Sequence, residues 1–305
     1  MLIPATEVAE FVSWKERPSL AGEWPVYVDF ESSILDRDEL VRRNGASVLP
    51  RGPGLKARIR HLIRWMTLPE GVIRANLDRL TRILLKEHAR PTVLVVGGGS
   101  IGIGMETIYR HPDIRVLAFD IYGDDNVQFV ADAHDIPLYD GSVDCVVVQA
   151  VLEHVLDPWK VVHEIHRVLK PDGLVYAETP FLQQVHEGPY DFTRFTESGH
   201  RWLFKSFSRV DSGAVTGPGV QLIWAIESVV EGVFRSRRMA VIASVAVFWL
   251  RYLDRVIPER YQIDDACCVY FLGRRAETPL AARDMPGHYR GAQHREMCDA
   301  KDDER

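Results

Sequence analysis

The sequence predicts an α/β protein built on a doubly wound, mostly parallel sheet. Three observations carry this reading. First, "PTVLVVGGGSIGIG" (91–104) is an apolar, β-branched run that breaks into five glycines within eight positions. Second, further short apolar runs follow it, separated by helical patterns: "RVLAFD" (115–120), "VQFVAD" (127–132), "VDCVVVQA" (143–150) and "LVYAETP" (174–180). Strands covered on both faces read as such runs, and their alternation with helices marks βαβ units. Third, 305 residues at 46% hydrophobic content suffice for one large core with accessory pieces.

Residues 1–90 are mixed and loop-rich, with Pro50, Gly52, Pro53 and Gly54 marking a break. Lys56–Met66 reads as a basic amphipathic helix. A second helix runs over 72–88, with Ile73, Leu77, Leu80, Ile83 and Leu84 on one face at spacings of three and four. Pro91 ends it. After the glycines, Gly104–His111 reads as a helix, and Pro158–Leu169 as another, with Val161, Val162, Ile165 and Val168 on one face. "FSRVDSGAV" (207–215) and "ACCVYFLGRR" (266–275) read as two more strands, flanking helical stretches near 221–235 and 239–256. The predicted division is a helical and loop extension over 1–90 that caps the acceptor side, a main domain over 91–275 with a helical insertion at 216–263, and a polar, disordered tail over 276–305.

The totals exclude several classes. A net charge of −6 leaves no basic excess for a nucleic-acid partner. The four cysteines, Cys145, Cys267, Cys268 and Cys298, lack CxxC spacing, which speaks against a zinc site and a disulfide framework. With no signal-peptide pattern at the start, a cytoplasmic setting is expected. "MAVIASVAVFWL" (239–250) is too short to span a bilayer, which takes roughly 20 apolar residues. It reads as a core helix, with peripheral membrane contact through 235–251 as the alternative, given Arg235, Arg237 and Arg238 just before it.

A glycine loop between a buried strand and a helix lets a ligand meet bare backbone at the carboxyl ends of the strands. A nucleotide-like cofactor is therefore expected. Gly97-x-Gly99-x-x-Gly102 also matches the dinucleotide fingerprint, and Asp120 ends the second strand where a carboxylate would take ribose hydroxyls. NAD and S-adenosyl-L-methionine (SAM) both carry that ribose, so the loop and Asp120 do not choose between them.

The downstream residues do. "VLVVGGGSIG", "AFD" and the long run "FVADAHDIPLYDGSVDCVVVQAVLEHVLDPWKVVHEIHRVLKPDGLVYAETP" together resemble the class I SAM-dependent methyltransferases of the type-11-like subgroup, over roughly residues 91–211. The resemblance implies a Rossmann-like seven-stranded sheet with helices on both faces and the last strand antiparallel. It implies that Gly97, Gly99 and Ser100 pass under the methionine and ribose of SAM, and that Asp120 takes the ribose hydroxyls. Asp132 would accept from the adenine amino group beside the Ala133 backbone. Gln149 and Ala150 would line the floor, with Leu152, Glu153 and His154 at the rim. The chain departs from the family's pattern at Val95, where an acid is usual, and at Ile101, with Gly102 one place later and the loop one residue longer.

Methyl transfer needs an acceptor aligned roughly 3–3.5 Å from the methyl carbon, and a general base where the acceptor is a hydroxyl. "PFLQQVHEGPYDFTRFT" (180–196) is dense in titratable and aromatic groups. It resembles a segment of methyltransferases that act on glycans or small metabolites. His186 is the expected base, oriented by Asp191; alternatively Asp191 and Arg194 form a structural ion pair. Tyr190, Phe192 and Phe195 could border the sulfonium. His163 and His166 have metal-like spacing but no third ligand, so no metal site is expected. The expected activity is methyl transfer from SAM to a small-molecule or glycan acceptor at oxygen. The alternatives are an NAD-dependent oxidoreductase and a non-catalytic SAM-binding relic.

Overall fold

The computed structural model describes residues 1–14, 18–46 and 70–294. Lys56–Met66 lies outside them. Nine strands form one sheet in the order β1-β2-β5-β4-β3-β6-β7-β9-β8. The predicted strands appear as β3 (Thr92–Val96), β4 (Arg115–Asp120), β5 (Phe129–Ala131), β6 (Val143–Gln149), β7 (Leu169–Pro180), β8 (Phe207–Thr216) and β9 (Cys268–Arg275). β9 alone among these seven is antiparallel to its neighbours, β7 and β8.

The extra pair is β1 (Ser19–Ala21) and β2 (Trp24–Tyr27), so the sheet exceeds the seven strands expected. They form a hairpin that turns at Gly22, whose φ of 64° favours glycine. β2 then pairs in parallel with β5 through Val26–Val130 and Tyr27–Ala131. Residues 1–90 thus extend the sheet as well as covering it. Their short strands lack long apolar runs, so the pattern that betrays a buried strand is missing there.

The central strands are apolar because both faces are packed. Leu94 and Val96 of β3 face one core, with Val146, Val148 and Ile165; Val93 and Val95 face the other, with Leu77, Leu80 and Tyr176. Helix α3 (Gly71–Glu87) covers the second face through Ile73, Leu77, Leu80 and Leu84. Helix α5 (Pro158–Val168) covers the first through Val161, Val162, Ile165 and Val168. Its start is fixed by Pro158 and by Asp157, whose side chain accepts from the Lys160 N–H. Among the described residues, two short helices precede α3, α1 (Ala5–Val8) and α2 (Arg37–Arg42).

Behind the glycine loop, helix α4 is only Glu106–Tyr109, shorter than the expected Gly104–His111. Gly104 sits at φ 78°, and a Cβ there would lie 2.9 Å from Leu77, so the chain cannot enter a helix earlier. The insertion is helical, as α7 (Pro218–Phe234), α8 (Arg237–Ala246), a 3₁₀ stretch Phe248–Arg255 and α9 (Glu259–Asp264). Helix α6 (Glu197–Leu203) lies between the loop after β7 and β8.

The expectation of a disordered tail fails over residues 276–294, which dock on the domain. His288 Nε2 lies 2.8 Å from Glu197 Oε1, Arg290 Nη2 donates to Ser212 O at 2.6 Å, and Tyr289 Oη donates to Asp264 at 2.9 Å. Polar composition hid these contacts because each is a hydrogen bond, which leaves no apolar periodicity. His288→Ala should therefore lower stability in urea denaturation by about 1–3 kcal/mol, since buried Glu197 loses a partner. An unchanged midpoint would mean that the docking contributes nothing.

Candidate functional site

A cleft of about 1050 Å3 opens at the carboxyl ends of β3, β4, β6 and β7. Its base is the loop 97–104. A Cβ on Gly97 would collide with Val151, and one on Gly102 with Gln149 Oε1. At Gly99 it would stand 2.7 Å from Asp120 Oδ2. Gly97 also has φ 74°. The main chain is thereby left bare toward the cleft, the kind of surface that a nucleotide-like group can approach closely. Gly99 itself is buried behind that surface. Its N–H donates to Asp120 Oδ2 at 2.8 Å, while Ile121 N–H donates to Oδ1 at 2.7 Å. Asp120 is only 8% exposed yet lines the cleft, as do Gly97, Ser100, Asp132, Ala133 and Gln149. These residues fit an adenosyl cofactor, with carboxylates for its donors and backbone where side chains would block it.

Asp132 is held from three directions. His134 N–H and Nδ1 reach Oδ1 at 3.0 and 2.6 Å, and the Ser33 hydroxyl donates to Oδ2. His134 Nε2 accepts from Asp157 N–H at 3.1 Å, which leaves the ring proton on Nδ1, facing Asp132. Burial works to raise the Asp132 carboxyl, but the His134 and Ser33 hydrogen bonds prevail and hold it below the usual carboxylate range.

The floor carries an acid that the sequence reading missed. Glu178, at the end of β7, accepts from Tyr176 Oη and from Gln149 Nε2 at 3.0 Å; Asn76 Nδ2 in turn donates to Tyr176 at 3.4 Å. Burial pushes the Glu178 carboxyl up to about 7. Val95 packs in the apolar layer with Val147 and Tyr176. The carboxylate on this floor comes from Glu178, two strands away. An acid inside the otherwise apolar "LVYAETP" was the available signal. Gln149 Oε1 is buried with no hydrogen-bond partner among the described residues.

The loop after β7 closes one end of the cleft. Phe192 N–H donates to the backbone oxygen of Glu153 at 2.8 Å, which seats the loop on the 3₁₀ turn Leu152–His154 beyond β6. Of the two tasks expected for Asp191, the structure shows the ion pair with Arg194, which also ties Asp191 to the His186 backbone. Both its oxygens take the Arg194 guanidinium, Oδ2 at 2.6 Å, and Oδ2 also accepts His186 N–H at 2.8 Å. Arg194 donates further to Gln183 O at 3.0 Å and Gln184 O at 3.2 Å. Asp191 does not face the cleft, and its carboxyl stays ionised because these bonds outweigh burial. It is a positioning residue.

His186 does line the cleft, with His154 and Glu153. The two imidazoles stand edge to face with centroids 4.8 Å apart. Each Nε2 lies 3.7 Å from Glu153 Oε1. Burial, with His154 adding to it, lowers the His186 pKa, and burial pushes the Glu153 carboxyl up to about 8. Of the three aromatic candidates only Tyr190 reaches the cleft. Phe195 is buried against Trp159, and Phe192 is exposed elsewhere. His163 is exposed and His166 faces Ala276 O at 3.1 Å, so this pair forms no cluster.

The strand order, the bare loop and the acid after β4 define a Rossmann-like nucleotide-cofactor domain. Residues 102–177 match the family model described as a methyltransferase domain. Among curated relatives, a demethylmenaquinone methyltransferase of Clavibacter sepedonicus is 47% identical over 73 residues, 23% of this chain and 29% of that one. A ubiquinone/menaquinone biosynthesis C-methyltransferase of Brucella canis is 26% identical over 149 residues, 47% and 46% of the two chains. The chain spans less than half the length of these curated relatives. The solved structure of Haemonchus contortus phosphoethanolamine N-methyltransferase 2 with S-adenosyl-L-methionine superposes at a TM-score of 0.42 and 17% identity, covering 65% of this chain and 53% of that one.

The Glu178 shift has a definite consequence for stability. Its carboxyl ionises near 4.5 in the unfolded chain and about 7 in the folded one, so the folded form holds the proton more tightly. The stabilisation is full below pH 4.5 and is lost as pH rises through about 7. Glu178→Gln should remove this slope, of order 1–3 kcal/mol between wild type and variant in denaturant titrations across that window. Equal slopes in the two proteins would show that Glu178 does not carry it.

Proposed function

We propose that the protein is a SAM-dependent methyltransferase that moves a methyl group to a hydroxyl of a small-molecule or glycan acceptor. The observation that carries this is the bare backbone of the glycine loop beside Asp120, directly preceding residues 102–177, which the methyltransferase model matches. Gly97, Ser100, Asp120, Asp132, Ala133 and Gln149 would hold the donor, and Gly99 would fix Asp120 from behind. When bound, the donor supplies an electrophilic methyl group on a sulfonium.

The chain's own residues do the rest. The acceptor end is bounded by Glu153, His154, His186 and Tyr190. Imidazole lone pairs and a carboxylate suit an acceptor that donates a hydrogen bond and must shed a proton, as a hydroxyl does. His186 takes this role with the loop geometry set by Asp191 and Arg194. Leu35 and Leu40 from the N-terminal region and Trp224 and Glu227 of α7 line the cleft, which supports 1–90 and 216–263 as the acceptor cap.

Residues 235–251 are proposed to touch anionic membrane. Met239, Ile242 and Trp249 are exposed there, in a stretch that also holds Arg235, Arg238 and Arg251. Arg237 is tied instead to Glu227 and Glu231. Among the described residues, no helix is long and apolar enough to cross a membrane.

Thermal unfolding with SAM, S-adenosylhomocysteine and NAD tests the donor reading. A ligand at about 100 times its Kd stabilises by about 2.7 kcal/mol, and only the two adenosyl sulfur compounds should do so. Stabilisation by NAD alone would favour the oxidoreductase; SAM binding without turnover on any acceptor would favour the relic. Asp120→Ala should weaken SAM binding at least about tenfold by titration calorimetry, the loss of about 1.4 kcal/mol or more. For the membrane contact, Ile242→Glu should abolish co-sedimentation with vesicles containing phosphatidylglycerol. Equal recovery of variant and wild type would remove that face from the proposal.

A further inference from the structure

Glu153 is the most anomalous group at the acceptor end. Its side chain is 1% exposed, and neither carboxylate oxygen makes a hydrogen bond to any other described residue. A buried carboxylate left this way is costly, and native structures seldom tolerate one without a cation or a proton to answer it. Two imidazoles turn toward it. His154 Nδ1 lies 2.7 Å from Tyr190 O, a carbonyl that can only accept, so that nitrogen carries the proton and the lone pair falls on Nε2. His186 Nδ1 lies 3.4 Å from both Gln184 O and Asp191 Oδ2, again acceptors, which places its lone pair on Nε2 too. Both Nε2 atoms face Glu153 Oε1 at 3.7 Å, and the three ligand atoms lie within 4.8 Å of one another.

We propose that Glu153, His154 and His186 bind one divalent transition-metal ion of borderline softness, such as Zn2+ or Co2+, at the acceptor end of the cleft. Two imidazoles and a carboxylate are the donor set that such ions take, leaving coordination positions open. Bonds of about 2.0–2.2 Å require ligand atoms about 3–3.5 Å apart, close to the 3.7 Å from each imidazole to Glu153, with the two imidazoles drawing together by about 1 Å. The far side of each ring is already held by a carbonyl or carboxylate, as metal-bound histidines require. Arg194 and Asp191 fix the loop that brings His186 to Glu153, so the site is assembled by the fold rather than by the ion. The proposal departs from the expectation, drawn from the sequence, of no metal site. The helical spacing of His163 and His166 gives no hint of these ligands, which come from the 3₁₀ turn after β6 and the loop after β7.

The role of the ion rests on the methyltransferase reading. An acceptor hydroxyl bound at an open position would be oriented and made more acidic, its proton passing to solvent. His186 would then act through the metal, and not as a free base.

The test uses the full chain, freed of metal with a chelator and without donor or acceptor. Titration with cobalt chloride should show one equivalent bound, with visible d–d absorption of a low-symmetry site and a Kd in the micromolar range or below. His186→Ala and His154→Ala should each weaken binding about 100-fold, and Glu153→Gln should do likewise while preserving shape, with folding checked by circular dichroism. No uptake by the wild type, or uptake unchanged in both histidine variants, would overturn the proposal. SAM affinity, measured by calorimetry on the same samples, reports the donor reading separately. Intact SAM binding without cobalt uptake defeats only the metal site, and cobalt uptake at this site without SAM binding defeats only the donor reading.

Discussion

The contact between the loop 97–104 and the side chains beneath it governs the site. Gly99 N–H binds the Asp120 carboxylate, Gly98 N–H binds Phe119 O at 2.9 Å, and Gln149 Oε1 sits where a side chain on Gly102 would have to go. The loop is thus a continuation of the sheet, held to β4 and β6 by groups at their ends. Because these contacts leave no room for a Cβ, the glycines follow from packing before any ligand is considered. The same packing leaves backbone at Gly97 and Gly102 facing the cleft, between the side chains of Ser100 and Ile101. The short α4 behind the loop means that bare main chain, more than a helix dipole, sets what this base can hold.

The parts of the fold that are legible in the sequence are those with two buried faces. β3 and β6 are unbroken apolar runs because Leu94 and Val96 meet one core while Val93 and Val95 meet the other. β1 and β2 escape notice because they are short and lie at an edge. β2 gains its place from pairing with β5 at only two registered positions. The docked tail is invisible for a related reason. Its anchors are polar, and His288 means nothing without Glu197, some ninety residues away.

The site divides in the same way. Asp120, Gly97 and Gln149 could be placed from sequence because strand ends map directly onto the cleft. For Asp191 the sequence offered two tasks, orienting His186 or pairing with Arg194, and the three-residue spacing to Arg194 decides for the pair. Arg194 prevails because it also meets the carbonyls of Gln183 and Gln184, so the guanidinium is satisfied where it stands. The bidentate pair then spends Asp191 on shape. Glu178 was hidden by its apolar neighbours, although its position at the end of β7 puts it beside Gln149 on the floor.

The two ends of the cleft treat their carboxylates in opposite ways. At the end lined by Asp120 and Asp132, these carboxylates receive N–H and hydroxyl donors from the backbone, His134 and Ser33, which supply partial positive charge and keep Asp132 ionised despite burial. At the other end, Glu153 is buried as deeply and receives no such donors; what faces it are imidazole lone pairs. Three lone-pair groups converging on one point repel one another unless a proton or a positive centre lies between them. The chain holds them there regardless, through Phe192 N–H on the Glu153 carbonyl and through the Arg194 clamp. A fold that stabilises such an arrangement of donors is complementary to a cation, just as the glycine loop is complementary to a ligand that needs bare backbone.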